Sequence, residues 1–189
     1  DLERRTARPQ SILGPIFAGG THVGFHHQDG RTFLIAYGGV TALAELRPDG
    51  SARNLAFAGS THRFAFHHDW NPPAPFVEAF ARAYPSRKGK HADKGPGVLW
   101  VDVNGDGAMQ AEEFDFSTEA EDFAGSYWGH AMRDLVFHVP AKLKGRTLRV
   151  AIAPQGWHAG GAPKYPSLNE AVRAGEPLEG SPGQVETAL

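Results

Sequence analysis

The hexapeptide Phe17-Ala18-Gly19-Gly20-Thr21-His22 returns forty residues later as Phe57-Ala58-Gly59-Ser60-Thr61-His62, identical at five of six positions. Each copy is followed by a phenylalanine and two histidines, Phe25-His26-His27 and Phe66-His67-His68, and then by Asp29 or Asp69. A period of forty fits either a four-stranded unit or a helical repeat, so the residues between the copies decide. They read as strands. Asp29-Gly30 and Asp49-Gly50 separate runs of β-favouring residues, and Asp-Gly supplies the left-handed backbone that tight hairpins need. The spacing predicts strands over 23–27, 31–37, 40–47 and 52–57, with Gly38-Gly39 as the middle turn. The 23 glycines and 14 prolines among 189 residues suit many short elements and argue against a helix bundle.

Four strands inside one forty-residue repeat resemble the blade of a β-propeller repeat protein of the NHL-like kind, over residues 15–70. The resemblance implies a mainly β fold of antiparallel four-stranded blades, with glycine-rich corners at 18–20 and 58–60. A closed propeller takes about four to eight blades, more than this chain provides once its later insertions are counted. The expectation is therefore a partial or open propeller with short helical insertions. A β-sandwich carrying two locally duplicated hairpins is the alternative.

Beyond Asp69 the strand pattern stops at Pro72, Pro73 and Pro75. Phe76, Phe80 and Tyr84 then recur at helical spacing, which predicts a short amphipathic helix with Pro75 in its first turn and Pro85 at its end. Residues 86–97 are basic and poor in apolar side chains, as in a solvated loop. Farther on, 134–140 and 147–153 alternate like strands around 142–146. Ser167 and Glu170 stand in capping-box register, which predicts a helix over 167–174.

After the apolar run 98–101 the chain reads Asp102-Val103-Asn104-Gly105-Asp106-Gly107-Ala108-Met109-Gln110-Ala111-Glu112-Glu113. This segment resembles an EF-hand-type calcium loop. Oxygen-bearing side chains stand at loop positions one, three and five as Asp102, Asn104 and Asp106, with Gly107 at six and Glu113 at twelve. Calcium takes six to eight oxygens at about 2.3 to 2.6 Å, so a short segment must wrap around the ion. The resemblance implies ligation by Asp102, Asn104 and Asp106, a backbone carbonyl from Ala108, a contact through Gln110, and closure by both oxygens of Glu113. Three carboxylates leave a net charge near minus one around a dication, which favours Ca²⁺ over the tighter octahedron of Mg²⁺. A strand enters this loop where an EF-hand has a helix. Dockerin modules share the opening residues but carry two such loops, and here there is one. A structural clip is implied, with neither a sensor's switch nor cohesin binding. The acidic residues Asp115, Glu119, Glu121 and Asp122 read as a solvated face.

Ten histidines invite a second site. Neighbours such as His26 and His27 point to opposite faces of a strand, so at most one of each pair faces any cavity. An enzymatic reading, a propeller hydrolase or lactonase or a carbohydrate-active enzyme, would need His22, His62 or His130 beside Asp29, Asp69 or Asp134 in a concave pocket. Neither a Gly-x-Ser-x-Gly elbow, nor a phosphate loop, nor a His-Glu-x-x-His segment is present, and no catalytic residue is assigned. Trp128, Trp157 and Tyr165 read either as a platform for stacking sugars or as aromatic side chains that plug gaps in a loop-rich β protein, the commoner use.

With 19 basic and 21 acidic residues the chain has no field to attract nucleic acid. Its longest nearly apolar stretch, about twelve residues, is too short to cross a bilayer. The absence of cysteine excludes disulfides and thiolate chemistry. The expected organisation is propeller-like repeats over 1–70, a helix and basic loop over 71–97, the calcium-loop strand and terminal β segment over 98–174, and a flexible tail over 175–189. The chain opens at Asp1 without a leader, and is expected to be part of a longer one. The functional expectation is a calcium-binding module of a secreted or periplasmic protein, where millimolar calcium makes a lone loop useful. Its partner would be a carbohydrate or another protein domain.

Overall fold

A computed structural model describes residues 22–37, 40–87, 95–123 and 131–178. The first copy of the hexapeptide up to Thr21, the Gly38-Gly39 turn, most of the basic loop, Trp128, His130 and the tail from 179 lie outside these residues. Strands β1 (His22–Gln28), β2 (Arg31–Tyr37), β3 (Val40–Leu46) and β4 (Ala52–Ser60) follow the predicted ladder closely. Between β1 and β2, Asp29 and Gly30 take φ of 51° and 74°, the paired left-handed residues of a type I′ hairpin. β5 (Gly97–Val101) and β6 (Phe114–Phe116) extend the same antiparallel sheet in sequential order from β1 to β6.

The second copy of the hexapeptide leaves β4 and enters helix α1 (Thr61–His67), so Phe66 and His67 are helical where a strand was expected. Local and distant contacts both favour this outcome. The Ser60 side chain caps α1 by accepting from the Arg63 N–H at 3.2 Å. Phe64, fully buried, stacks on Phe57 at 4.7 Å and tilts against Phe76 at 4.6 Å, contacts that an extended chain would lose. Helix α2 (Ala74–Ala83) begins beside Pro73 and Pro75 and buries Phe76, Ala79 and Phe80, as its spacing predicts.

The second sheet contains β7 (Asp122–Phe123), β8 (Ala131–Arg133), β9 (Val136–Leu143), β10 (Arg146–Ile152) and β11 (Glu176–Pro177). β9 and β10 form its centre, joined by a Lys144-Gly145 turn with φ of 49° and 74°. Helix α3 (Leu168–Arg173) carries the predicted capping box: Ser167 accepts from the Glu170 N–H, and Glu170 accepts from the Ser167 N–H.

Two cores hold three layers together. One face of the six-stranded sheet contributes Phe33, Ile35, Leu43, Leu99 and Val101 to a core shared with Phe137, Val139, Val150, Ile152, Leu168 and Val172. Its other face packs Phe57, Val98 and Trp100 against Phe64, Phe76 and Phe80 of the two helices. Covered on both sides, β5 reads as the unbroken apolar run Val98-Leu99-Trp100-Val101. One irregularity lies in β4, where Leu43 faces Ala56 and Ala44 faces Asn54, which leaves Leu55 as an extra residue in a bulge.

Candidate metal centre

Residues 102–113 leave β5 from a fixed point. The Asp102 N–H donates to the Leu55 carbonyl at 2.8 Å, which pins the start of the loop to β4. Gly105 and Gly107 take φ of 83° and 74°, and the bend expected at Gly107 is present. The polar side chains then fold back on their own backbone. Asp102 Oδ1 accepts from the Gly105 N–H at 3.0 Å, Asn104 Oδ1 from Asp106 at 2.9 Å, and Asp106 Oδ1 from Ala108 at 2.8 Å. Asp106 Oδ2 accepts from Asn104 Nδ2 at 3.0 Å and Gln110 Nε2 at 2.9 Å. The Ala108 amide is the largest of the influences that hold the Asp106 carboxyl below its ordinary range.

Glu113 closes the loop from a 3₁₀ turn over Ala111–Glu113. Its Oε1 accepts from the Val103 N–H at 2.9 Å, and its Oε2 from Trp100 Nε1 at 3.0 Å and the Gln110 N–H at 3.2 Å. The carboxylate thus ties both ends of the loop to the buried indole. Asp102, Asn104, Asp106, Gln110 and Glu113 belong to one closed loop, and the Ala108 amide serves Asp106. Among the described residues, no three acidic, histidine or cysteine side chains converge as a metal-holding group.

Two oxygens in the loop stand out. Asp102 is fully buried, and its Oδ2 has no hydrogen-bond donor among the described residues; buried Gln110 Oε1 is in the same condition. Apart from the Thr61 hydroxyl, no other buried side-chain oxygen among the described residues is left this way. Burying an acceptor without a partner costs about 1 to 3 kcal/mol, and an ion is one of the ways proteins meet that cost. The two oxygens occupy loop positions one and nine. The oxygen-rich donor set suits a hard dication.

A row of charges that the sequence did not disclose runs up to the loop. Arg53 Nη1 lies 4.0 Å from Asp102 Oδ2 and donates to the Gly105 carbonyl at 3.1 Å and the Gly160 carbonyl at 2.7 Å. Its Nη2 donates to Glu45 Oε2 at 3.2 Å, and Glu45 Oε1 accepts from Arg31 Nε at 2.7 Å. The Arg31 hydrogen bond leads the influences that lower the Glu45 carboxyl from its ordinary range, against the opposing effect of burial. Arg31 also donates to the Gly161 carbonyl at 2.7 Å, and its guanidinium lies 4.5 Å from the centre of the Trp157 ring. Glu45 and Arg53 are cross-strand partners over the Asp49-Gly50 turn, so their pairing was open to reading once that hairpin was placed. The link to residue 160 had no sequence signal.

The other candidates have surroundings of their own. His26 packs by Phe33 while His27 meets Thr32 Oγ1 at 3.1 Å, so the pair does point to opposite faces. Asp29, Asp69 and Asp134 each take a left-handed φ of 51° in a turn, a backbone role that accounts for their positions. His62 sits 5.2 Å from the Trp70 ring, and His130 lies outside the described residues. The platform of Trp157 and Tyr165 does not form. Trp157 is 41% exposed, but Tyr165 is in the core and donates its hydroxyl to the Leu135 carbonyl at 2.8 Å. Trp128 lies outside the described residues.

In the acidic stretch after the loop Glu119 and Glu121 bond at the surface, as a solvated face allows, and Asp115 is the part-buried exception. Glu121 accepts from the Gly145 N–H at 3.0 Å, Glu119 pairs with Arg173, and Asp115 accepts from the Leu168 N–H at the start of α3. Burial raises the Asp115 carboxyl above its ordinary range, outweighing the Leu168 hydrogen bond. A raised carboxyl pKa favours folding below the unfolded pKa, and that contribution is lost as pH rises through the folded value. Asp115→Asn retains an oxygen for Leu168 without the buried charge. It is expected to melt above the parent at pH 7 and level with it near pH 3, as followed by circular dichroism.

Compared with known protein families, curated proteins and solved structures, the chain matches none.

Proposed function

We propose that this chain is a calcium-stabilised β-rich module of a secreted or periplasmic protein, in which the ion is structural and the domain serves binding or scaffolding. The observation that carries this reading is the buried Asp102 Oδ2, which has no hydrogen-bond donor among the described residues and stands at the first ligand position of a loop already bent at Gly107. Gln110 Oε1 at position nine adds a second buried acceptor of the same kind. Asp102, Asn104, Asp106, the Ala108 carbonyl, Gln110 and Glu113 would hold the ion. Calcium would offset the charge of three carboxylates and fasten the crossing from β5 to β6.

Of the two finer architectures, blades or a sandwich, the sandwich has the better support. A blade ends at its fourth strand, whereas here β5 and β6 continue the sheet and a second sheet shares its core.

Calorimetric melting in calcium and in EDTA tests the function. A ligand at about one hundred times its Kd stabilises the state that binds it by about 2.7 kcal/mol, so calcium is expected to raise Tm by several degrees. Asp102→Ala and Glu113→Ala should each abolish the rise, and magnesium should reproduce little of it. Superimposable melting curves in calcium and EDTA would overturn the proposal.

A further inference from the structure

We propose that Arg53 is a tethered competitor for the calcium loop, so that ion entry and the docking of the Trp157 hairpin oppose each other. This inference rests on the calcium reading above.

Residues 155–164 form an ordered hairpin: Gln155 N–H donates to Lys164 O at 2.7 Å, and Lys164 N–H to Gly156 O at 2.9 Å. His158 N–H donates to Ala162 O at 2.9 Å, and Gly161 N–H to His158 O at 2.8 Å. The tip of the hairpin lies directly on the calcium loop. A Cβ built on Gly160 would come within 2.6 Å of Gly105 N and 2.8 Å of the Asn104 carbonyl carbon. Arg53 fastens this junction by donating to carbonyls on both sides of it, Gly105 and Gly160.

The same guanidinium is the cation placed next to Asp102 Oδ2, at 4.0 Å, too far for a hydrogen bond. Arg53 Nε is also buried without a partner among the described residues. Both members of the pair therefore keep unused hydrogen-bonding capacity while their charges offset each other. Arg31, Glu45, Arg53 and Asp102 alternate in sign and sum to zero. A dication accepted by Asp102 upsets that balance. It takes over the neutralisation of the carboxylate and repels a guanidinium that is almost out of water, where screening is weak. Arg53 then moves off the loop, and the Gly160 carbonyl loses its donor. Calcium binding thus weakens the hold on the hairpin that presents Trp157, and Arg53 in turn lowers the affinity of the loop for calcium. Reciprocity follows because coupling between two binding events acts equally on each.

The test uses the full chain with calcium chloride as ligand. Titration calorimetry is expected to show Arg53→Gln and Arg53→Met binding calcium about tenfold more tightly than the parent. In the parent, calcium should accelerate hydrogen exchange at the His158 and Gly161 amides, a measurement that needs no variant to fold. Calcium binding with unchanged or slower exchange in the hairpin, or with Arg53 variants binding no more tightly, overturns this inference and leaves the calcium reading standing. Absence of calcium binding in the parent overturns the two together.

Discussion

Phe57→Ala is expected to cost about 4 kcal/mol, the largest loss of any single side chain considered, and to lower Tm by about 10 °C. Phe57 is fully buried at the middle of the six-stranded sheet, stacked on Phe64 at 4.7 Å and on Trp100 at 5.9 Å. The void left by its ring has rigid walls. β3 and β5 flank it on either side by hydrogen bonding, and α1 above it is fixed by the Ser60 cap. Little collapse is available to shrink the cavity, and the penalty grows with the volume left open. The damage should reach the candidate metal centre through Trp100, which donates to Glu113. Urea melts at several calcium concentrations give both readouts: a lower midpoint with the slope unchanged, and a smaller calcium increment than in the parent.

Gly160→Ala is expected to cost about 3 kcal/mol for a different reason. The new methyl would meet backbone atoms of Asn104 and Gly105, which cannot rotate away as a side chain would. Either the hairpin or the 102–113 loop must shift, and the Arg53 bonds to Gly105 and Gly160 span that gap. Overpacking against a rigid neighbour costs about 1 to 3 kcal/mol, and the lost charged hydrogen bonds place this site at the upper end. Thermal melts provide the measurement. A Tm within about 1 °C of the parent would show that the two segments part freely.

What the sequence made legible follows the range of the interactions concerned. Strands β1 to β4 were readable because Asp29-Gly30 and Asp49-Gly50 fix their turns locally, and α3 because Ser167 and Glu170 satisfy each other within one turn. Helix α1 was not readable. Phe64, Phe66 and their histidine neighbours carry no helical stripe, and the resemblance to 17–27 argued for a strand. Contacts between Phe64 and residues Phe57 and Phe76 determine the outcome, and those exist only once the sheet and α2 are assembled. The loop over 102–113 shows the same division. The spacing of its oxygen-bearing side chains and the bend at Gly107 are local and were legible, whereas the engagement of Glu113 with Trp100 and the approach of Arg53 depend on three strands being in register. Tyr165 fills the core, the gap-filling alternative to a sugar platform; sequence left both open because an aromatic residue in a glycine-rich loop looks the same whether it faces water or Phe137.

Leu55, the unmatched residue of β4, fixes the side of the sheet on which the arginine sits. In a regular strand the side chain at 53 would lie on the face opposite Ala56, among the helices and far from any acidic neighbour at 102. The added residue reverses the phase of everything before it, which places Arg53 beside Glu45 and over the loop. A single insertion thus acts as a half-turn switch in the strand: the chemistry at one end of the molecule depends on an aliphatic residue that carries no charge and touches no ligand.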